Sequence, residues 1–320
     1  LGEDFDGSED GVRFEFDKPE DGNETITIGT ASTEYAILTY AKDRRPRFEY
    51  AQRIPTLRIE NVDVATHDQA KRILEKVGNS ILFKLDLTGN IGFMLAEDRE
   101  LRRAYFRRRR PVHDLDRSFP NYEYDSEPMS LYWYAKSALD MPLLQFLALY
   151  QILEFYFPIF SQKDAHHQVR NIIKDPRFNP NKDTDITKIL NTISQNKSQI
   201  GFGSELEQLK STLQNCISNE ELKEFIVEDE EMVEFFKDKK SKSLAAKKLS
   251  LENENADLIN ECAERIYEIR CRVVHTKASD KNYELLLPSS PKLKHLVFDI
   301  TILEMIAKKV IVSTSRLLKI

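Results

Sequence analysis

The sequence predicts an α+β protein in two parts. A β-rich domain spans residues 1–128, and an all-helical bundle spans 129–320 with a charged helical insertion at about 160–250. Three observations lead there. Apolar and polar residues alternate up to about residue 125, as in half-buried strands. That alternation nearly vanishes beyond about 130. From about 255 the apolar residues step by three or four, as on one helix face.

In the first part, "VRFEF" sets Val12, Phe14 and Phe16 against Arg13 and Glu15, and "ETITIGT" alternates Ile26 and Ile28 with threonines. "ILFKLDL" puts Ile81, Phe83, Leu85 and Leu87 opposite Leu82, Lys84 and Asp86. All three read as strands, and the apolar runs "EYAILTY" and "IGFML" add two more. "HDQAKRILEKVG" reads as one helix stopped by Gly78, and "LTGN" at 87–90 as a turn between strands.

In the second part, Pro142 opens a helix that Pro158 is expected to end. "KDPRFNPNKDTD" is a loop, followed by helical "ITKILNTI", "SELEQLKSTLQNCI" and "SNEELKEFIVEDEEMVEFF". The last begins with Ser218 and Glu221 in capping-box spacing. A basic run, "KDKKSKSLAAKK", precedes "ADLINECAERIYEIRCRVV", whose Leu258, Cys262, Ile266, Ile269 and Val273 share a face. Ser290 and Pro291 open the final long helix. The bundle core is expected near 141–157, 255–275 and 291–315.

A chain of 320 residues fits about two domains. With 41% hydrophobic and 31% charged residues it has the balance of a soluble globular protein. A net charge of −6 excludes a basic nucleic-acid coat, so nucleic acid would meet only a local patch. Cys216, Cys262 and Cys271 are odd in number and form no C-x-x-C, which predicts reduced thiols and a cytoplasmic setting. The acidic start "LGEDFDGSEDG" lacks the basic and then apolar order of a signal peptide. "MPLLQFLALYQILEFYFPIF" is broken by Gln145, Gln151 and Glu154 and reads as a buried core helix, so no membrane partner is expected.

The stretch that carries chemistry is "IRCRVVHTKA", residues 269–278. Histidine titrates near neutral pH and suits proton transfer, while arginine grips phosphate bidentately. Metal-free RNA cleavage needs both: a group to move the ribose 2′-OH proton and a cation on the phosphate. On a straight helix Arg270 and His275 stand about 140° apart. They converge only if the helix ends near His275 or two copies meet across a symmetry axis. Glu154, in the apolar helix, needs a partner if buried, and Arg270 is the candidate across the bundle. The alternative for Glu154 is a glutamate at the edge of the core. Arg272 and Lys277 are either phosphate contacts or ordinary helix-end charges. Arg107, Arg108, Arg109 and Arg110, beside Tyr105 and Phe106, either bind RNA or form a linker that pairs with acidic segments. His166 and His167 are expected in a loop with no cysteine near, which argues against a metal site, and His113 and His295 are isolated.

At "EIRCRVVHTKA" and "FLALYQILEFYF" the sequence resembles the HEPN superfamily (higher eukaryotes and prokaryotes nucleotide-binding), whose nuclease members carry Arg-x4-6-His on a core helix. The likeness covers about 131–160 and 255–315. It implies a helical bundle, a homodimer that pairs two motifs, and a metal-independent, cofactor-free endoribonuclease that leaves a cyclic phosphate. Arg270 and His275 would be catalytic, with Glu154 and Cys271 supporting. It also implies roles in anti-phage defence, as toxins or in RNA processing, with a protein or phage-derived trigger at the N-terminal domain. Cys271 stands where members often have Asn, Asp or His, and Lys277 where one toxin branch has Tyr. Cys271, a weak hydrogen bonder, favours the alternative of a catalytically inactive dimerisation or partner-binding module. A nucleotide-sensing regulator is a third reading, without a phosphate-cradling loop to support it.

Overall fold

A computed structural model describes residues 14–17, 23–31, 35, 37, 55–89, 92, 93, 95, 118–138, 141–200, 205–238, 241, 243–253, 255–274 and 285–319. Among them the protein is mostly helical with small sheets. The chain divides into two compact units: Leu1–Ser126 together with Ser315–Ile320, and Glu127–Thr314. The last residues thus group with the first unit, whereas the sequence reading ran the helical domain on to residue 320.

In the first unit, β1 (Phe14–Glu15), β2 (Thr25–Thr30) and β3 (Pro55–Glu60) form an antiparallel sheet with β2 in the middle. Its register pairs Phe14 with Ile28, Ile26 with Ile59, and Ile28 with Leu57. Ile26 and Ile28 are buried, and Thr27 between them is buried as well, so this central strand is covered on both faces. β3 is followed by Asn61, whose positive φ of 62° is an asparagine-tolerant left-handed bend, tied by its amide donating to Asn23 O at 3.2 Å.

The long helix α1 (His67–Gly89) corrects two expectations. Residues 81–87 are helical, and the helix runs past Gly78. Ile81, Leu82, Phe83 and Leu85 are all buried. A helix covered on several sides has no single apolar stripe, so its run imitates strand alternation. Gly78 serves close approach instead: a Cβ there would lie 3.0 Å from Leu95 and 3.1 Å from Leu57. Leu87, Thr88 and Gly89 of "LTGN" are therefore the end of α1, not a turn between strands. Tyr35 and Ile37, within the expected strand "EYAILTY", are helical, and the rest of 34–40 lies outside the described residues. Gly92, Phe93 and Leu95 of the expected strand "IGFML" are not in a strand, and Ile91 and Met94 lie outside the described residues. β4 (Tyr122–Glu123) pairs antiparallel with β5 (Arg316–Leu317), which closes this unit.

The second unit is helical throughout its described elements. It contains α2 (Ser126–Ser137), α3 (Pro142–Lys174), α4 (Asp183–Ile200), α5 (Glu205–Cys216), α6 (Asn219–Val227), α7 (Glu230–Lys237), α8 (Leu258–Val274), a 3-10 turn (Pro291–His295) and α9 (Leu296–Ser313). α2 has no counterpart in the sequence reading. α3 does not stop at Pro158: the proline lies on the exposed side, and the helix continues through His166 and His167, which are therefore helical. By length and composition α3 passes for a membrane span, yet Phe146, Leu149, Ile152, Leu153 and Tyr156 are fully buried in the bundle. It packs on α4, α5, α8 and α9, and α8 packs on α5 and α6. The capping box is present, with Ser218 Oγ accepting from Glu221 N and the Glu221 carboxylate accepting from Ser218 N. The segment expected as one helix over 218–236 is two, broken at Asp229, which caps the second through its contact with Met232 N.

Candidate functional site

α8 ends in the arginine-bearing stretch and presents two opposed faces. Glu261, Arg265, Glu268 and Arg272 recur at four, three and four residues and fall within a stripe about 60° wide. All four hold the backbone of the 241–250 segment, the strap that follows α7. Glu261 accepts from Ser250 N at 2.7 Å, and both Glu268 oxygens accept from Ala246 N at 2.9 Å. Arg265 NH1 donates to Ser241 O and Lys247 O at 3.1 and 3.0 Å. Arg272 NH1 donates to Ser243 O and Leu244 O at 2.9 and 2.6 Å. Carboxylates take two of the strap's amides and guanidiniums take four of its carbonyls, so these backbone groups are satisfied although the strap has little regular structure. Arg265 also forms a two-point pair with Asp299 of α9, at 2.6 and 3.0 Å, with both side chains almost wholly buried. The Phe236 and Phe235 rings lie 5.2 and 5.8 Å from its guanidinium carbon.

This placement revises the role expected for Arg272. Its side chain is buried and its guanidinium grips two carbonyls, so in this conformation it anchors the strap instead of facing a solvent-borne phosphate. Cys271 is buried as well. Burial pushes its thiol above the ordinary value, with the Tyr267 hydroxyl and Arg270 pulling the other way. Burial likewise carries the Tyr267 hydroxyl up to about 12. Cys271 is thus a thiol kept neutral beside Tyr267.

Arg270 lies on the opposite side of α8, about 170° from the strap stripe. Its NH2 donates to Glu154 Oε1 of α3 at 3.4 Å, and its Nε lies 3.0 Å from Glu205 Oε1, the first residue of α5. The sequence pairing of Glu154 with Arg270 is therefore present in the fold. Tyr150, one turn before Glu154 on α3, adds two contacts. Its hydroxyl donates to Glu205 Oε1 at 2.6 Å, and its ring centroid lies 5.6 Å from the Arg270 guanidinium carbon. The four groups come from three helices, and the side chains of Arg270, Glu205 and Glu154 are 17, 27 and 34% exposed. This is a cation at a rim, walled on one side and open on the other.

The charges are uneven, with one guanidinium facing two carboxylates. Burial raises Glu154's carboxyl above the ordinary value, Arg270 opposes that shift, and the adjacent Glu205 adds to it. Burial acts to lower Arg270, but Glu205, Tyr150 and Glu154 together hold it above its usual value, so it remains a permanent cation. Burial and the hydrogen bond to Glu205 push the Tyr150 hydroxyl strongly upward, so it stays a donor. Glu205 escapes the sequence reading because it falls in the insertion, where an acid in a first helical turn reads as a dipole partner.

His275, Lys277 and Arg107–Arg110 lie outside the described residues. Among the described residues no group of three His, Cys, Asp or Glu side chains is placed to hold a metal ion. His167 Nδ1 lies 3.3 Å from Asn171 Nδ2, and His295 stacks on Phe235 at 5.7 Å.

Comparison of the chain with protein-family models, with curated proteins and with solved structures finds no match.

Proposed function

We propose that this protein is a metal-independent endoribonuclease of the HEPN type. Arg270 binds the scissile phosphate and His275 moves the proton of the ribose 2′-OH. The 2′-oxygen attacks phosphorus, the bond from phosphorus to the 5′-oxygen breaks, and that oxygen takes up a proton. The products are a 2′,3′-cyclic phosphate and a 5′-hydroxyl. A homodimer would pair two such motifs, and the N-terminal domain would recruit a trigger in anti-phage or stress defence, in the cytoplasm. The observation that supports the reading best is the setting of Arg270. It is a largely enclosed guanidinium with a minor exposed edge, one turn from the end of α8, oriented by carboxylates from two other helices. Cations held this way stabilise charge that develops on a phosphate.

The test is RNA cleavage and expression toxicity for the wild type, Arg270→Ala and His275→Ala, with a chelator present. Cleavage by the wild type and its loss in either variant supports the nuclease. Identical behaviour of all three on a broad RNA panel, with and without candidate triggers, removes it. Buried Cys271 and the compensated charge of Arg270 favour a second reading, a non-catalytic partner-binding module. That module would bind RNA or protein without cutting.

A further inference from the structure

The two carboxylates on Arg270 are not equivalent. Glu205 is fixed: it meets Nε at 3.0 Å and receives the Tyr150 hydroxyl at 2.6 Å, at the first turn of a helix, where a negative charge is favoured. Glu154 is loosely held by Arg270: its contact with NH2 is 3.4 Å, at the limit of a hydrogen bond, its side chain is the most exposed of the three, and its other close partner is the like-charged carboxyl of Glu205. We propose that Glu205 and Tyr150 are positioning residues that aim Arg270, whereas Glu154 plugs the guanidinium's outward edge at rest and is displaced by the phosphodiester of an RNA ligand. The inference rests on Arg270 being a phosphate ligand.

Charge requires the exchange. A phosphodiester carries one negative charge, as a carboxylate does. Were it to join both carboxylates, three anions would share one cation in a partly desolvated place. If Glu154 turns outward or takes up a proton, the count returns to two. Its titratable neighbours are Arg270 on α8, Glu205 on α5 and Tyr150 on its own helix, with Tyr267 and Cys271 beside Arg270. Of the other helices against α3, α9 pairs Glu304 with Lys136 and Lys308, and α4 pairs Asp185 with Lys188. The direction of Glu154's shift makes protonation the easier route as pH falls.

The two acids therefore give opposite results in one assay. The probe is a fluorescein-labelled single-stranded RNA with 2′-O-methyl riboses, which supplies phosphodiesters but no attacking hydroxyl. Its Kd for the full chain is measured by anisotropy from pH 5.5 to 8. Glu154→Gln should bind about fivefold tighter than wild type at pH 8 and lose most of the pH dependence. Glu205→Gln should bind about tenfold weaker, and Tyr150→Phe, which keeps the ring, should weaken in the same direction. The wild type should tighten as pH falls. If Arg270→Ala leaves the Kd unchanged, Arg270 is no phosphate ligand and the underlying reading fails. If Arg270→Ala weakens binding but Glu154→Gln weakens it too, the plug alone is overturned. Should Glu205→Gln unfold, Tyr150→Phe decides the positioning role: an unchanged Kd removes it. No binding by any variant, Glu154→Gln included, overturns both.

Discussion

Arg265 and Arg270 sit five residues apart on α8 and show two ways of placing a cation. Arg265 is buried and saturated, with Asp299 across two bonds, two strap carbonyls and two aromatic rings around it. Arg270 is at a rim, with two carboxylates facing its single positive charge and one of those contacts stretched. A buried charge is tolerated only when every donor has an acceptor. A cation left with a loose partner is one whose partner can be exchanged. The difference separates a residue that holds the fold from one that can meet a ligand.

The sharpest way to test that separation is to remove Asp299. Asp299→Ala leaves Arg265 buried without its counter-ion and should cost about 3–5 kcal/mol in a denaturant titration. Replacing both partners, Arg265→Met with Asp299→Leu, should cost much less than the sum, since no orphan charge remains. A loss below about 1 kcal/mol for Asp299→Ala would show that Arg265 is reached by water, and the contrast with Arg270 would collapse. Glu268→Ala comes next. It strips the exposed Ala246 N of both acceptors, which water can partly replace, and should cost about 0.5–1.5 kcal/mol, with faster hydrogen exchange confined to the 241–250 strap.

Arg270→Met should reverse the pattern. Its partners are partly exposed, so stability should change by less than about 1 kcal/mol. RNA cleavage, if the proposed nuclease is right, should fall by about a hundredfold or more. A variant that lost several kcal/mol with activity intact would make Arg270 a second Arg265.

The same contrast explains what the sequence could reveal. The cross-bundle pairing of Glu154 with Arg270 was legible because an acid in the middle of an apolar helix needs a cation, and α8 offers few. The capping box of Ser218 and Glu221 was legible because it is local. The strap contacts were not: Arg265, Glu261 and Glu268 look like an ordinary charged helix face, and nothing in their spacing says that it grips backbone. Glu205 and Tyr150 were missed as site residues for the same reason, since their relation to Arg270 exists only once three helices meet. Residues 81–87 misled because period-two alternation and an all-round buried helix place apolar residues at overlapping positions. Pro158 misled because a proline on the solvent side of a long, well-packed helix need not end it.

The smallest effect is the pH response of Glu154, and its sign is definite. Its carboxyl is raised above the ordinary 4.5, so the folded protein keeps that proton to higher pH than the unfolded chain does. The contribution to stability is fully present below the unfolded value and is lost as pH rises through the folded one. Glu154→Gln carries no such proton, so the stability difference, wild type minus variant, should become more negative as pH climbs through that window. Adding Arg270→Met should widen the window, because the guanidinium is what restrains Glu154's shift. Denaturant midpoints at a series of pH values read this directly. A difference that grew more positive with pH would mean that Glu154 is a firmly paired carboxylate. The loose edge on Arg270 would then be as closed as the contact between Arg265 and Asp299.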